Sequence, residues 1–255
     1  MWDEVGDGCF RRRYESFDLN IGVVRGADGF FVIDTRCGPT EARELLHELR
    51  VLGNAPVRRI LNSHWHFDHC WGNATIRAAS PGVEIWGHER IADWNARYHH
   101  EQQDFLGARH PEWSDEIDAI EAVLPDHHVH HEVNIDLGDR AVSIRFPGRG
   151  HTDNDLVVVV PVSDVVFAGD IVEESAPPSY GDDCYPLDWP ATNARLLDWI
   201  APTAIVVPGH GDVIDRAFVA EQNAAIEQVA ATIRSLHAAG VPEADALAEI
   251  GRAHV

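Results

Sequence analysis

Lysine is absent from all 255 residues, so the 20 basic side chains are all arginine, set against 42 Asp and Glu for a formal charge of −22. Such a chain repels polyanions, which disfavours a nucleic-acid partner and leaves only arginine as a fixed cation for any anionic ligand. Cysteine is scarce too. Cys9, Cys37, Cys70 and Cys184 lie far apart, with no CxxC pair among them, so a disulfide framework or a cysteine-based zinc site is not indicated. They read as buried, unpaired thiols, Cys70 being the one beside candidate chemistry. No apolar run approaches the roughly 18 residues of a membrane span. The opening MWDEVGDGCF places acids where an export signal carries bases. A cytoplasmic protein with no membrane partner is expected.

At 45% apolar and 24% charged residues, the composition is that of a globular protein. A single domain over 1–255 is expected, with a motif-bearing core at about 20–215 and C-terminal helices at 215–255. Residues 20–24 and 30–34 suggest a hairpin around Ala27-Asp28-Gly29. Pro39 and Thr40 open a helical pattern through Leu45, Leu46 and Leu49 that stops at Gly53-Asn54. A strand over 57–62 follows. Helical character is expected over 91–123, strands over 133–137, 141–146, 156–160, 165–168 and 204–207, and helices over 191–200 and 215–239. The outcome is a sheet-rich layer with helices outside.

The strand over 57–62 runs into Ser63-His64-Trp65-His66-Phe67-Asp68-His69-Cys70, three histidines and an aspartate within six positions. Alternate residues of an extended segment face one way, so His64 and His66 can aim at one cation. Asp68 and His69, past the bend, can face a second. Later strand ends supply His151 in Gly150-His151-Thr152, Asp170 in Ala168-Gly169-Asp170 and His210 in Pro208-Gly209-His210-Gly211. Each follows a glycine, which permits tight backbone packing around a metal. Imidazole and carboxylate suit Zn, Fe or Mn.

His64-x-His66-x-Asp68-His69 and the three later motifs, in this order and spacing, resemble the metallo-β-lactamase-fold superfamily over about residues 20–215. The resemblance implies an αβ/βα sandwich: two mixed β-sheets, helices on the outer faces, and the metal site at one edge. It implies that His64, His66 and His151 hold a first metal, that Asp68, His69 and His210 hold a second, and that Asp170 bridges them. Two divalent ions, zinc first and Fe or Mn as alternatives, then activate a shared water, and Asp68 is the candidate to orient it or accept its proton.

Departures from the family's branches narrow the reaction. The family's true β-lactamases usually carry Cys or Ser where Asp170 stands and often use a Lys; its glutathione thioesterases use C-terminal Lys and Arg; its homoserine-lactone branch has Tyr where Glu173 stands. A dinuclear hydrolase of a small ester, thioester, lactone or amide is the expectation. The alternatives are a mononuclear iron-dependent sulfur oxygenase and a non-catalytic metal-bound scaffold or sensor. Substrate-facing candidates are Tyr180 and Tyr185 as hydrogen-bond donors, Trp65 in an apolar rim, and Arg149 as an anion contact or surface ion pair. The helix with Trp94, Tyr98 and Phe105 is either a lid or core packing. His127, His128, His130 and His131, expected in a loop, match no ligand set and stand outside the site. The long helix from Asp215 covers the outer sheet or joins a homodimer.

Overall fold

The computed structural model describes residues 1–253, and the side chains of 1–250. The large sheet holds seven strands in chain order: β1 (Asp3–Gly6), β2 (Cys9–Arg13), β3 (Asn20–Gly26), β4 (Gly29–Ile33), β5 (Val57–Leu61), β6 (Glu84–His88) and β7 (His127–Val129). The first four pair antiparallel and the last four parallel. The second sheet is ordered β12-β11-β10-β9-β8, from β8 (Glu132–Asp136), β9 (Ala141–Arg145), β10 (Val157–Val160), β11 (Val165–Gly169) and β12 (Ile205–Pro208). Only β11 and β12 are parallel there. Both sheets are thus mixed, and they face one another.

Alternation along the strands builds the layers, since successive side chains point to opposite faces. Val24, Phe31, Ile33 and Leu61 meet Ile144, Val158, Val160 and Phe167 between the sheets. Their neighbours Val23, Phe30, Val32 and Ile60 point outward under α1 (Pro39–Leu49) and α3 (Asn73–Ala79), through Leu45, Leu49 and Ile76. On the far side Val157, Val159 and Val166 pack beneath α6 (Trp189–Trp199) and α7 (Arg216–Ala238), where Trp189, Leu196, Val219 and Ile226 are fully buried. The Val157–Val160 run is covered on both faces, which is why it shows no polar alternation. α7 therefore covers the outer face of the smaller sheet.

The elements expected from sequence are present to within a few residues, and several more appear. The β1–β2 hairpin and β6 carried too little apolar periodicity to be anticipated. The stretch 91–123 resolves into α4 (Ile91–Arg109), a 3-10 turn at Pro111–Trp113 and α5 (Ser114–Asp118). The histidine cluster at 127–131 is not simply a loop. Residues 127–129 form the edge strand β7, His127 lies tilted against Trp86 at 4.6 Å and bonds Asp126, and His130 pairs with Glu89 at 2.8 Å. No helix among the described residues is long and apolar enough to cross a membrane.

Candidate metal centre

Four turns at one end of the sandwich deliver the seven side chains. After β5 the chain is pinned by a buried amide pair, Asn62 and Asn73, which exchange hydrogen bonds of 3.0 and 2.7 Å while Asn62 also donates to the His69 carbonyl. The one-turn helix α2 (Phe67–Cys70) then turns Asp68 and His69 inward, and both are buried. The His151 turn is closed by Asp155, which accepts from the Thr152 amide and hydroxyl at 2.8 Å each. Asp170 follows Gly169, whose φ of 56° suits glycine. Gly209 lies so close that a Cβ there would sit 1.8 Å from Asp170 Oδ1. The glycines before Asp170 and His210 thus have the close-packing role expected of them.

Two groups of donors result. His64 Nε2 and His66 Nδ1 are 2.9 Å apart, and His151 Nε2 is 3.0 Å from His66 Nδ1. In the second group His69 Nε2 and His210 Nε2 each lie 3.5 Å from Asp68 Oδ2. Asp170 stands between them. Its Oδ2 is 3.8 and 3.6 Å from His64 and His151 and 3.2 Å from His210, and its Oδ1 is 3.3 Å from His69. These groupings, and a third of Asp170, Glu173 and His210, each hold their ligand atoms within 4.8 Å of one another.

Hydrogen bonds on the far sides of the rings decide what the near sides can do. His66 Nε2 faces the Asp183 carboxylate at 2.9 Å, His69 Nδ1 faces Asp34 at 2.8 Å, and His210 Nδ1 faces the Phe17 carbonyl at 2.7 Å. Those oxygens accept, so the ring proton belongs on the outer nitrogen each time. Ser63 directs its hydroxyl to Asp34 at 2.9 Å and so accepts from His64 Nδ1 at 3.1 Å. With those outer nitrogens carrying the ring protons, the inner nitrogens of His64 and His66 face each other at 2.9 Å, an arrangement that repels unless a metal ion or a further proton lies between them. His69 Nε2 and Asp170 Oδ1 are buried with no hydrogen-bond partner, which is costly without an ion. The donor set fits divalent metal, and its outer partners are those that orient metal-binding imidazoles.

The charges agree. Burial, aided by neighbouring imidazoles, holds His64 well below the ordinary histidine range, and burial outweighs Asp170 to bring His151 down to about 4. Burial alone would lower His210, but Asp170 and Asp68 lift it to about 10; the same acids with Asp34 lift His69. Burial alone would raise Asp170 and Asp68, yet the surrounding imidazoles hold both below the usual carboxylate range. Two ionised carboxylates thus sit beside His69 and His210, whose inward protons a divalent ion would displace, while His64 and His151 are held neutral.

A family model described as the metallo-beta-lactamase superfamily matches residues 17–210. The chain belongs to that superfamily. A "Metallo-beta-lactamase type 2" of Bacillus cereus is 21% identical over 80% of this chain and 72% of its own length. An acyl-coenzyme A thioesterase of Bos taurus is 28% identical over 81% of this chain and 79% of its own. Among solved structures, a metallo-beta-lactamase from Pontibacter korlensis superposes with a TM-score of 0.67 at 22% identity, covering 89% of this chain and 98% of that one. FIM-1 from Pseudomonas aeruginosa, in a mono-zinc form, gives 0.67 at 17%, covering 90% and 96%. The sandwich described above is this superfamily's fold.

Beside the donors opens a cleft of about 530 Å³, a volume ordinary for a small-molecule site. Trp65 lines it, with its indole N–H bonded to Asp183 at 2.7 Å. The other three substrate-facing candidates lie elsewhere. Arg149 ion-pairs with Asp188 and covers the Tyr185 ring at 4.5 Å, beside a separate depression that Arg149 lines. Tyr180 is exposed, edge-on to Trp189, and is not among the residues lining the cleft. α4 buries Ile91, Gln103 and Leu106, while its Trp94, Tyr98 and Phe105 line the cleft. Cys70 bonds the Trp65 carbonyl and burial pushes its thiol up, so it is a packed residue.

Sequence reasoning missed Asp34, Asp183, the Phe17 carbonyl and Glu173. Asp34 did leave a signal: an acid directly after an apolar strand, in the sequence Phe30-Phe31-Val32-Ile33-Asp34, on the strand parallel to the one carrying the histidines. Its φ of 68° is held by hydrogen bonds to Ser63 and His69. Asp183 left none, since its partner His66 lies 117 positions away.

Proposed function

We propose that this chain is a dinuclear metal-dependent hydrolase of small esters, thioesters, lactones or amides. The observation that carries it is the Asp170 carboxylate, standing between two histidine groups whose inward nitrogens converge on its oxygens. His64, His66 and His151 would hold one divalent ion and Asp68, His69 and His210 the other, zinc being the first choice for this donor set. Two such ions supply an activated water at neutral pH and polarise the bond to be cleaved. Asp68, ionised and buried at the cleft wall, has the position and charge to orient the attacking water or take its proton. Asp183 and Asp34 hold His66 and His69 in the tautomers that keep lone pairs inward. Trp65, Trp94 and Phe105 exclude water from the leaving group's side of the cleft.

The thioesterase relative lends weight to carbonyl substrates, while the aspartate at 170 and the lack of lysine weigh against a β-lactam drug as the main substrate. Chelation should abolish hydrolysis of a panel of small esters, thioesters and lactones, and Zn(II), Mn(II) or Fe(II) should restore it. Asp170→Ala should bind at least one ion fewer per chain by elemental analysis and lose roughly 10²-fold or more in kcat. Wild-type metal content and rate in that variant would overturn the assignment. One iron per chain with oxygen uptake would instead indicate a sulfur oxygenase.

A further inference from the structure

The cleft has a chemical asymmetry that the metal assignment does not use. Six carboxylates line it, Asp68, Asp170 and Glu173 near the donors and Glu101, Asp182 and Asp183 farther out, and no arginine does. Two divalent ions would bring four positive charges against these six acids. Of the arginines on α4, Arg109 stacks on the Phe105 ring at 3.5 Å, and neither it nor Arg97 is a lining residue. Arg90 and Arg149 line a different depression, each paired with an aspartate.

Beside the acids runs an aromatic wall. Trp65 stacks on Trp94 at 5.5 Å and Trp94 on Tyr98 at 5.2 Å, both with interplanar angles of 26°. Both indole N–H groups are tied down, Trp65 to Asp183 and Trp94 to Asp153 at 2.7 and 2.6 Å. Two of the rings are therefore fixed before any ligand arrives, and the Asp183 anchor adds to the negative potential of the wall, whereas Asp153 is offset by Arg90. Glu101, one turn beyond Tyr98 on α4, and Asp182 are both exposed, so their charges are not committed to the interior. Aromatic surface beside unneutralised acid attracts apolar groups that are cationic or uncharged and repels anions.

We propose that the substrate is an acyl compound with an apolar, cationic or uncharged leaving group, selected by Glu101 and Asp182 at the mouth and by the Trp65–Trp94–Tyr98 wall, and that anionic leaving groups such as nucleotide thiols are excluded. This inference takes its reaction from the hydrolase reading above, while its recognition step stands apart from it. For a thioester, water adds to the carbonyl carbon, the C–S bond breaks, and the products are a carboxylic acid and a free thiol that leaves with a proton.

The test compares, on metal-loaded enzyme, kcat/KM for benzoylthiocholine and for S-benzoylthioglycolate, which share an acyl group and differ in leaving-group charge. A second arm measures binding of benzyltrimethylammonium and benzylsulfonate by tryptophan fluorescence, sulfonate being a poor metal ligand. The cation should be preferred about tenfold or more at low salt, and 0.5 M salt should shrink that preference. In Glu101→Gln/Asp182→Asn the ratio should fall towards one in both arms, each ratio being internal to its own protein. Equal or better handling of the anion, or a ratio unchanged in the double variant, would overturn the proposal. Charge-selective binding that the double variant loses, without hydrolysis of either thioester, would uphold the recognition step and overturn the thioester branch of the hydrolase reading.

Discussion

Asp34 shows how a single side chain outside the donor set governs it. Its carboxylate takes the Ser63 amide at 2.7 Å, the Ser63 hydroxyl and His69 Nδ1, and so sets the tautomers of both His69 and, through Ser63, His64. Outer partners of this kind typically contribute 10–100-fold to metal affinity. Asp34→Asn keeps a residue that tolerates positive φ but replaces an acceptor by a donor; chelator competition should show metal affinity falling by about that factor. Gly209 acts by having no side chain. Gly209→Ala would drive a methyl into Asp170 Oδ1, so the purified variant should carry less metal per chain while its circular dichroism is unchanged. Both residues were within reach of sequence reading in different degrees. The Pro-Gly-His pattern pointed to close backbone approach, whereas the partner approached at Gly209 became known only from the fold.

Elements owe their positions to simple local physics. α7 begins where Asp215 accepts from the Phe218 amide at 2.9 Å, a cap worth about 1 kcal/mol. Asp215→Ala should lower the midpoint of thermal unfolding by about 2–4 °C and leave metal content untouched, since α7 packs beneath the smaller sheet on the side away from the inter-sheet core. Strands such as β3 and β4 were legible because burial on both faces demands apolar residues in series. β1, β2 and β6 were not, because Arg11, Arg12, Arg13 and Glu84 break that pattern. Arg12 and Arg13 are held by ion pairs with Glu48 and Asp18, contacts that no local pattern encodes. For α4 the cleft-lining aromatics and the core residues share one helix, so its mixed periodicity was a true record of two environments.

At the scale of the whole molecule, charge and burial set the response to pH. His88, 2% exposed, rests against Phe146 at 4.4 Å, and burial, followed by the nearby Arg90, pushes it down to about 4. A histidine in the unfolded chain titrates near 6.5. Because the folded value lies below the unfolded one, the unfolded chain takes up this proton first. Its contribution to stability is complete above about pH 6.5 and is lost as pH falls from there towards 4. His88→Gln should flatten that part of the stability profile, read as the difference between variant and wild-type denaturant midpoints at pH 5 and 7.5. The difference matters because the candidate metal ligands also titrate in the wild type and would cancel in it.

The spelling of the four turns was enough to name a set of donors, the superfamily and the sandwich, because ligand atoms, glycines and apolar strand runs are local properties that survive in one dimension. What tertiary structure alone decided was convergence and surroundings. It placed Asp170 between the two histidine groups, supplied Asp34, Asp183 and the Phe17 carbonyl as outer partners, and moved Tyr180, Tyr185 and Arg149 off the cleft. Those relations depend on chain segments 35 to 193 positions apart meeting at one sheet edge. The packing of two sheets fixes such meetings, and residue spacing does not.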